Sequence, residues 1–373
     1  MENFIVKTLA AQDIKSELDK IGFDKSYCEP ASEKFKYKNL KIFDLNPAQA
    51  NIIKQTALSV GTDCGTNKNV ITGKSEKSDI ILGGSTSQLK KIAEKLSVQP
   101  FGLNILAERI ISELEPVKRT TKLAGILNVT PDSFSDGGMY YNPKDAIKHA
   151  FELIEDGADM LDIGAESTRP FSEPVPFEVQ IERLKPVLKE LSNIKIPLSV
   201  DTRSSFVAEF AVENGVTVIN DVSGLDYDPR IAEIVSASNA TLILQHSKGN
   251  PENMQISPEY NDVAEEVFFK LKNKIELAKY KGVNNIIVDV GIGFGKTREH
   301  NFELLNRIEE FFPLGYPVMV GLSRKSLLGV KSDDNNLKDA LTLAISYPLM
   351  LKGVDYLRVH NVKLHKQLLT SAI

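Results

Sequence analysis

From Thr120 to the C-terminus, short β-branched and apolar runs alternate with amphipathic stretches of helical length, and the alternation recurs eight times. It predicts strands at Ala124–Asn128, Met160–Ile163, Leu198–Asp201, Val216–Asn220, Thr241–Leu244, Ile286–Asp289, Pro317–Gly321 and Tyr356–Val359. Helices are predicted after Pro143, Pro176, Ser204, Pro229, Pro258, Glu299, Leu337 and Val362. Proline suits a helix start, where its missing N–H has no partner to lose. Eight strands each followed by a helix are the arithmetic of a (β/α)8 TIM barrel, which takes about 250 residues. Residues 120–373 number 254. An open parallel sheet is the weaker alternative.

The chain has 373 residues, so the barrel leaves a surplus ahead of it. Residues 1–119 have a different rhythm: a helical pattern over Pro47–Ser59, apolar runs at Asn69–Ile71 and Ile80–Leu82, and helical patterns at Leu89–Leu96 and Asn104–Leu114. They read as a small α/β N-terminal domain whose role the sequence leaves open. The charged segment Glu115–Lys122 is the linker candidate.

Composition removes several function classes. With 42% hydrophobic and 25% charged residues the chain is globular rather than disordered. A formal charge of -5 argues against bulk binding of nucleic-acid phosphates, though a few cations in one place suffice for a small anion. Cys28 and Cys64 lie far apart and form no C-x-x-C pair, so neither a disulfide framework nor a cysteine zinc site is expected. No apolar run reaches the roughly 18 residues that span a bilayer, and the start, Met-Glu-Asn-Phe-Ile-Val-Lys, lacks the basic and apolar regions of a signal peptide. The expectation is a cytoplasmic protein without membrane or nucleic-acid partners.

Chemistry in such a barrel is built at the C-terminal ends of the strands. Those ends carry Asn128, Glu166, Asp201-Thr-Arg203, Asn220-Asp221, Gln245-His246, Asp289, Ser323-Arg-Lys325 and Arg358-Val-His360. Asp, Asn, Ser and Thr after a strand are often helix caps, and Ser204, Asp228 and Asn336 are read that way. Capping does not explain Lys325, Arg358 and His360, which arrive at the same mouth as Asp201 and Asp289. Asp201, Asn220 and Asp289 suit the edge of a flat aminopyrimidinone, whose N–H donors a carboxylate accepts in parallel, with Lys325 donating to its carbonyl. Arg358 and His360 suit phosphate oxygens, and Asn128 offers a neutral oxygen for a magnesium ion that keeps most of its waters. The ligand implied is a pterin-like or guanine-like heterocycle bearing phosphate or diphosphate. Gly291-Ile-Gly-Phe-Gly-Lys-Thr297 does not have P-loop spacing, Leu82-Gly-Gly-Ser-Thr86 reads as a plain loop, and His149, His300 and His365 read as surface or packing residues.

Five segments, in order, resemble the dihydropteroate synthase family of pterin-binding barrel enzymes. They are Asn128-Val-Thr-Pro-Asp-Ser-Phe-Ser-Asp-Gly-Gly138, Glu166-Ser-Thr-Arg-Pro170, Gly291-Ile-Gly-Phe-Gly-Lys296, Ser323-Arg-Lys-Ser326 and Arg358-Val-His360. The resemblance covers Lys122 to Ile373 and implies condensation of 6-hydroxymethyl-7,8-dihydropterin diphosphate with 4-aminobenzoate to 7,8-dihydropteroate and diphosphate, in folate biosynthesis. It assigns Asp201, Asn220, Asp289 and Lys325 to the pterin, and Asn128, Arg358 and His360 to diphosphate, with Asn128 on Mg2+. Phe134, Thr168, Arg169, Pro170, Phe294 and Ser323 fall to 4-aminobenzoate, and the turn at Ser323 is expected to open a helix whose N–H groups meet its carboxylate. It also implies a homodimer, sulfonamides as competing ligands, and two loops, Thr130–Tyr141 and Glu166–Pro176, that close over the site.

The chain departs from the family's usual pattern at Phe171, at Asp289-Val-Gly291, at Gln245-His-Ser247 and at His360-Asn-Val362. None of these removes a proposed ligand; Phe171 bears on the aminobenzoate side. Two alternatives stay open: a methyltetrahydrofolate–corrinoid methyltransferase, which has no diphosphate to engage Arg358 and Asn128, and a non-catalytic pterin-binding paralogue.

Overall fold

The computed structural model describes residues 5–9, 13–115, 119–130, 142–166, 174–249, 258–330 and 334–371. The chain divides into two compact units, Met1–Val117 and Lys118–Ile373.

In the first unit the order is α1 (Ile14–Lys20), α2 (Cys28–Ser32), β1 (Tyr37–Leu45), α3 (Pro47–Ser59), β2 (Cys64–Thr66), β3 (Ser78–Ser85), α4 (Thr86–Leu96) and α5 (Leu103–Leu114). The strands form an antiparallel sheet in the order β1-β3-β2. α3 runs over the span its pattern predicts, because Asn46 and Gln49 close a capping box ahead of Pro47. Ser85 and Gln88 do the same for α4. Ile53, Leu82, Leu89, Ile92 and Leu96 make a separate apolar core. The run Asn69–Ile71 lies in turns, and its central Val70 still packs into that core.

The second unit is β4 (Lys122–Asn128), α6 (Pro143–Glu155), β5 (Met160–Gly164), α7 (Phe177–Leu191), β6 (Leu198–Asp201), α8 (Ser205–Glu213), β7 (Val218–Asp221), α9 (Ile231–Ser238), β8 (Thr241–Gln245), α10 (Val263–Tyr280), β9 (Asn285–Asp289), α11 (Arg298–Asn306), β10 (Val318–Val320), α12 (Asn335–Lys352), β11 (Tyr356–Val359) and α13 (Val362–Ser371). Its eight strands close into one barrel in chain order, with β11 pairing back onto β4 in parallel. The expected TIM barrel is therefore the observed fold.

Strand side chains alternate between the barrel interior and the surrounding helices. Ala124, Met160, Val218, Ile243, Ile287 and Met319 form an inner apolar cluster with Tyr356 packed on it. Leu123, Leu161, Ile219, Leu242, Leu244, Val288 and Leu357 belong instead to the large core shared with the helices. Counting two residues on from the inner set reaches Asp162, Asn220, Gln245, Asp289 and Arg358, with Ile126 and Gly321 between them. The interior thus has an apolar floor and a polar storey above it.

Two of the expected caps fall elsewhere. Ser204 precedes α8 but makes no side-chain cap bond; Asp228, from the next connection, accepts from Ser205 N at 3.0 Å and caps α8 across the loop. Asn336 lies inside α12, and Asp334 is the cap.

Candidate active site

The polar storey is organised by carboxylates. Asp162, inaccessible to solvent, accepts from Ser199 Oγ at 2.5 Å and from Asn220 Nδ2 at 3.0 Å, and it also accepts from Arg358 Nε. Arg358 Nη2 donates to Asp201 Oδ2 at 2.7 Å. Gly321 lies alongside this side chain: a Cβ added there would lie in ordinary contact, 3.6 Å from Arg358 Cβ and Cδ. One edge of the guanidinium therefore rests on two carboxylates.

Two buried oxygens in this network have no hydrogen-bond partner, Asp201 Oδ1 and Asn220 Oδ1. Asp201 and Asn220 are register partners on β6 and β7, so these acceptors stand on adjacent strands. A buried polar atom without a partner costs free energy of about 1–3 kcal/mol, so two side by side mark a place built for a donor-bearing ligand. Asp289, on β9, accepts from Gly291 N at 2.7 Å. Lys325 Nζ donates to Ile292 O at 2.6 Å and lies 4.4 Å from the centre of the Phe294 ring.

Burial sets the titration of these groups. Desolvation pushes Asp201 up to about 7, against the pull of Arg358 and with the help of Asp162. Desolvation also raises Asp289, with Lys325 opposing. Lys325 is lowered to about 8 by burial, against Asp289. Burial works against the charge on Arg358, yet Asp162 and Asp201 hold its pKa above the ordinary value.

At the ends of β10 and β11, Ser323 Oγ lies 2.9 Å from His360 Nδ1 and accepts from His360 N at 3.2 Å. Both residues are braced from behind by Asp339 of α12. Its carboxylate takes Arg324 Nε and Nη2 at 2.7 and 2.8 Å, and Asn361 Nδ2 at 3.1 Å. Arg324 pays for this with a left-handed backbone, φ 57°. Beyond Ser323 the chain makes one 3-10 turn, Ser326–Leu328, so the expected helix N-terminus at this point is absent.

The loop after β9 folds over a buried lysine. Lys296 Nζ donates to Gly291 O at 2.9 Å and Phe294 O at 3.0 Å, and lies 2.9 Å from His246 Nδ1. Gly291 has φ 69°, and a Cβ there would collide with the His246 carbonyl, so glycine is required.

Of the residues singled out from sequence, Asp201, Asn220, Asp289, Lys325 and Arg358 share one interacting set, and Phe294 adjoins it through Lys325. Ser323 and His360 pair with each other, and Asn128 closes β4 beside Gly164, whose missing Cβ would sit 3.5 Å from Asn128 Oδ1. Phe134, Thr168, Arg169, Pro170 and Phe171 lie outside the described residues, as does most of both predicted closing loops. At the base of the second loop, Glu166 accepts from Arg203 Nη2 at 3.0 Å and Val175 N at 3.1 Å. Sequence reasoning missed Asp162 and Asp339, and it named Lys296 only as the end of a motif, without a role. The available signal for Asp162 was a charge at an inward position of an otherwise apolar strand.

Among the described residues no cluster of three or more His, Cys, Asp or Glu side chains is placed to hold a metal ion. A magnesium ion held mainly by diphosphate oxygens and water needs no such cage, and one amide oxygen, that of Asn128, fits this demand.

The model of the family described as pterin binding enzyme matches residues 124–360. A Helicobacter pylori protein named bifunctional dihydropteroate synthase/dihydropteroate reductase is 33% identical over 98% of this chain and 97% of its own length. A Haloferax volcanii protein named probable bifunctional folylpolyglutamate synthase/dihydropteroate synthase is 34% identical over 84% of this chain, which spans 40% of that relative's length. The solved dihydropteroate synthase of Xanthomonas albilineans with 4-aminobenzoic acid superposes with a TM-score of 0.63 at 36% identity, covering 68% of this chain and 92% of that one.

Proposed function

The chain belongs to the pterin-binding enzyme family, among the dihydropteroate synthases, and from that premise we propose how its own residues carry the condensation of 6-hydroxymethyl-7,8-dihydropterin diphosphate with 4-aminobenzoate. The observation that carries the reading is the pair of partnerless buried acceptors, Asp201 Oδ1 and Asn220 Oδ1, set beside Arg358. They accept N–H groups from the pterin edge, Asp289 adds a carboxylate, and Lys325 donates to the pterin carbonyl.

In the reaction the C–O bond between the pterin methylene carbon and the diphosphate breaks, and the electron pair leaves with diphosphate. The arylamine lone pair forms the new C–N bond, and the amine proton passes to solvent or to the departing anion. The amine is a neutral nucleophile at pH 7, so positioning contributes more than general-base help. Arg358 and His360 stabilise charge that grows on the leaving group. Asn128 would hold a magnesium ion, which when bound would neutralise part of that charge. Phe294 and Ser323 border the aminobenzoate, together with Phe134, Thr168, Arg169 and Pro170.

This assignment is tested by calorimetric titration of free 6-hydroxymethylpterin and of its diphosphate, with and without magnesium. His360→Ala is expected to weaken the diphosphate roughly tenfold, the cost of a lost charge-assisted hydrogen bond, and to leave the free pterin unchanged. Equal losses would contradict the role given to His360. Sulfonamides, as 4-aminobenzoate mimics, are expected to compete.

A homodimer is the proposed assembly, supported by Tyr347 and Leu351, exposed apolar residues one turn apart on α12. A cytoplasmic location remains part of this proposal; no helix among the described residues is long and apolar enough to cross a membrane. The second activities named for the two relatives differ, yet both relatives match the first unit: 84% of the chain is more than the barrel unit, 118–373, can supply. We therefore attach neither of them to it.

A further inference from the structure

We propose that Asp162 is a positioning residue for the heterocycle: it dictates which atom of Asn220 faces the ligand and docks Arg358 against Asp201. The inference rests on the synthase reading and deepens it.

Asp162 does not reach the ligand itself. On β5 its register partner on β6 is Ser199, whereas Asp201 pairs with Gly164, so Asp162 stands one inward step, about 7 Å, below the level of the two partnerless acceptors. It is closed to solvent, and its two oxygens are taken by Ser199, Asn220 and Arg358. Every interaction of Asp162 therefore acts through a neighbour.

Its leverage on Asn220 comes from the chemistry of the amide. A carboxylate only accepts, so the group that Asn220 turns toward Asp162 Oδ2 has to be its NH2. That leaves Oδ1 as the atom pointing to the ligand, and it has no hydrogen-bond partner among the described residues. Rotating the amide by half a turn would present NH2 instead and set donor against donor. Ser199 Oγ holds Asp162 Oδ1, so the carboxylate cannot swing away. The same carboxylate takes Arg358 Nε, which brings Nη2 onto Asp201 Oδ2 and leaves Asp201 Oδ1 as the second open acceptor. One buried aspartate thus prepares both acceptors.

The test removes the carboxylate and, separately, one of the donors that hold it. Asp162→Asn is expected to weaken free 6-hydroxymethylpterin about tenfold or more by calorimetry, with the KM for 4-aminobenzoate at saturating pterin diphosphate within about twofold of wild type. Ser199→Ala, which removes one donor without changing charge, is expected to weaken the pterin about threefold and guards against a single variant that fails to fold. Wild-type-like pterin binding by a folded Asp162→Asn protein, or by Ser199→Ala if that single variant does not fold, would overturn the proposal, as would a rise in the KM for 4-aminobenzoate parallel to the loss of pterin affinity. Wild-type protein that binds no pterin would overturn the synthase reading first, and this inference with it.

Discussion

Lys296 Nζ lies 2.9 Å from Nδ1 of His246, the residue just after β8, and the pair ties the loop after β9 to the end of its neighbouring strand. Burial drives both groups well below their ordinary pKa values. Lys296 lowers His246 further, while Lys325 and Lys248 lower Lys296 against the pull of Asp289. The lysine stays because its nitrogen fills a hole lined by Gly291 O and Phe294 O. Lys296→Met leaves those acceptors and His246 without their partner. It is expected to cost about 1–3 kcal/mol of stability. Thermal unfolding checks this, and pterin affinity should fall as well, because Phe294 and Ile292, both against Lys325, lie in the same loop.

Pterin binding should depend on pH, with a maximum between the titrations of Asp201 and Lys325. Asp201 has to accept, and it gains a proton below about 7. Lys325 has to donate as an ammonium, and it loses its proton above about 8. Affinity for the free pterin, measured by fluorescence quenching across both titrations, is expected to fall on both sides. Asp201→Asn should flatten the acid limb and leave the alkaline one.

The stability of the empty enzyme should move in the opposite sense to its affinity. The folded pKa of Asp201 is raised above the unfolded value of about 4, so its contribution to stability is fully present below about 4 and is lost as pH rises to about 7. Asp201→Asn has no such loss. The variant is expected to gain on wild type in thermal melts as pH climbs from about 4 to about 8, while it binds pterin more weakly. A difference independent of pH would contradict the raised pKa.

Asp339 gives a separate handle on the other half of the site. It braces Arg324 and Asn361, the neighbours of Ser323 and His360, and Arg324 holds a left-handed backbone that this brace sustains. Asp339→Ala removes the carboxylate from a partly exposed arginine, so the stability loss is expected to be about 1–3 kcal/mol, less than for a fully buried pair. The kinetic signature is a KM for 4-aminobenzoate raised several-fold with free-pterin affinity unchanged. Parallel losses in both would place Asp339 in general folding alone.

The barrel was legible because its strands are short, apolar and separated by helices whose starts carry Pro143 or a side-chain cap. β1 was not: Lys38, Lys41 and Asp44 interrupt its alternation, and it lies mostly exposed, so no period of two survives. The site's residue types were legible at the strand ends, where Asp201, Asn220, Asp289 and Lys325 stand. Their partners were harder to read. Asp162 sits mid-strand, and that Arg358 would also rest on Asp162 and Asp201 depends on which strands the closed barrel brings together. Asp339 acts from a helix 15 residues beyond Arg324, a distance that no local pattern encodes.

The central claim is that this barrel makes dihydropteroate, and one turnover measurement tests it. Purified full-length protein, magnesium, 6-hydroxymethyl-7,8-dihydropterin diphosphate and labelled 4-aminobenzoate are incubated, and products are separated by chromatography. The prediction is label in 7,8-dihydropteroate with one diphosphate released per product, and loss of that product in Lys325→Ala. Intact pterin binding with no labelled dihydropteroate would contradict it, and would leave a protein that binds the heterocycle without condensing it.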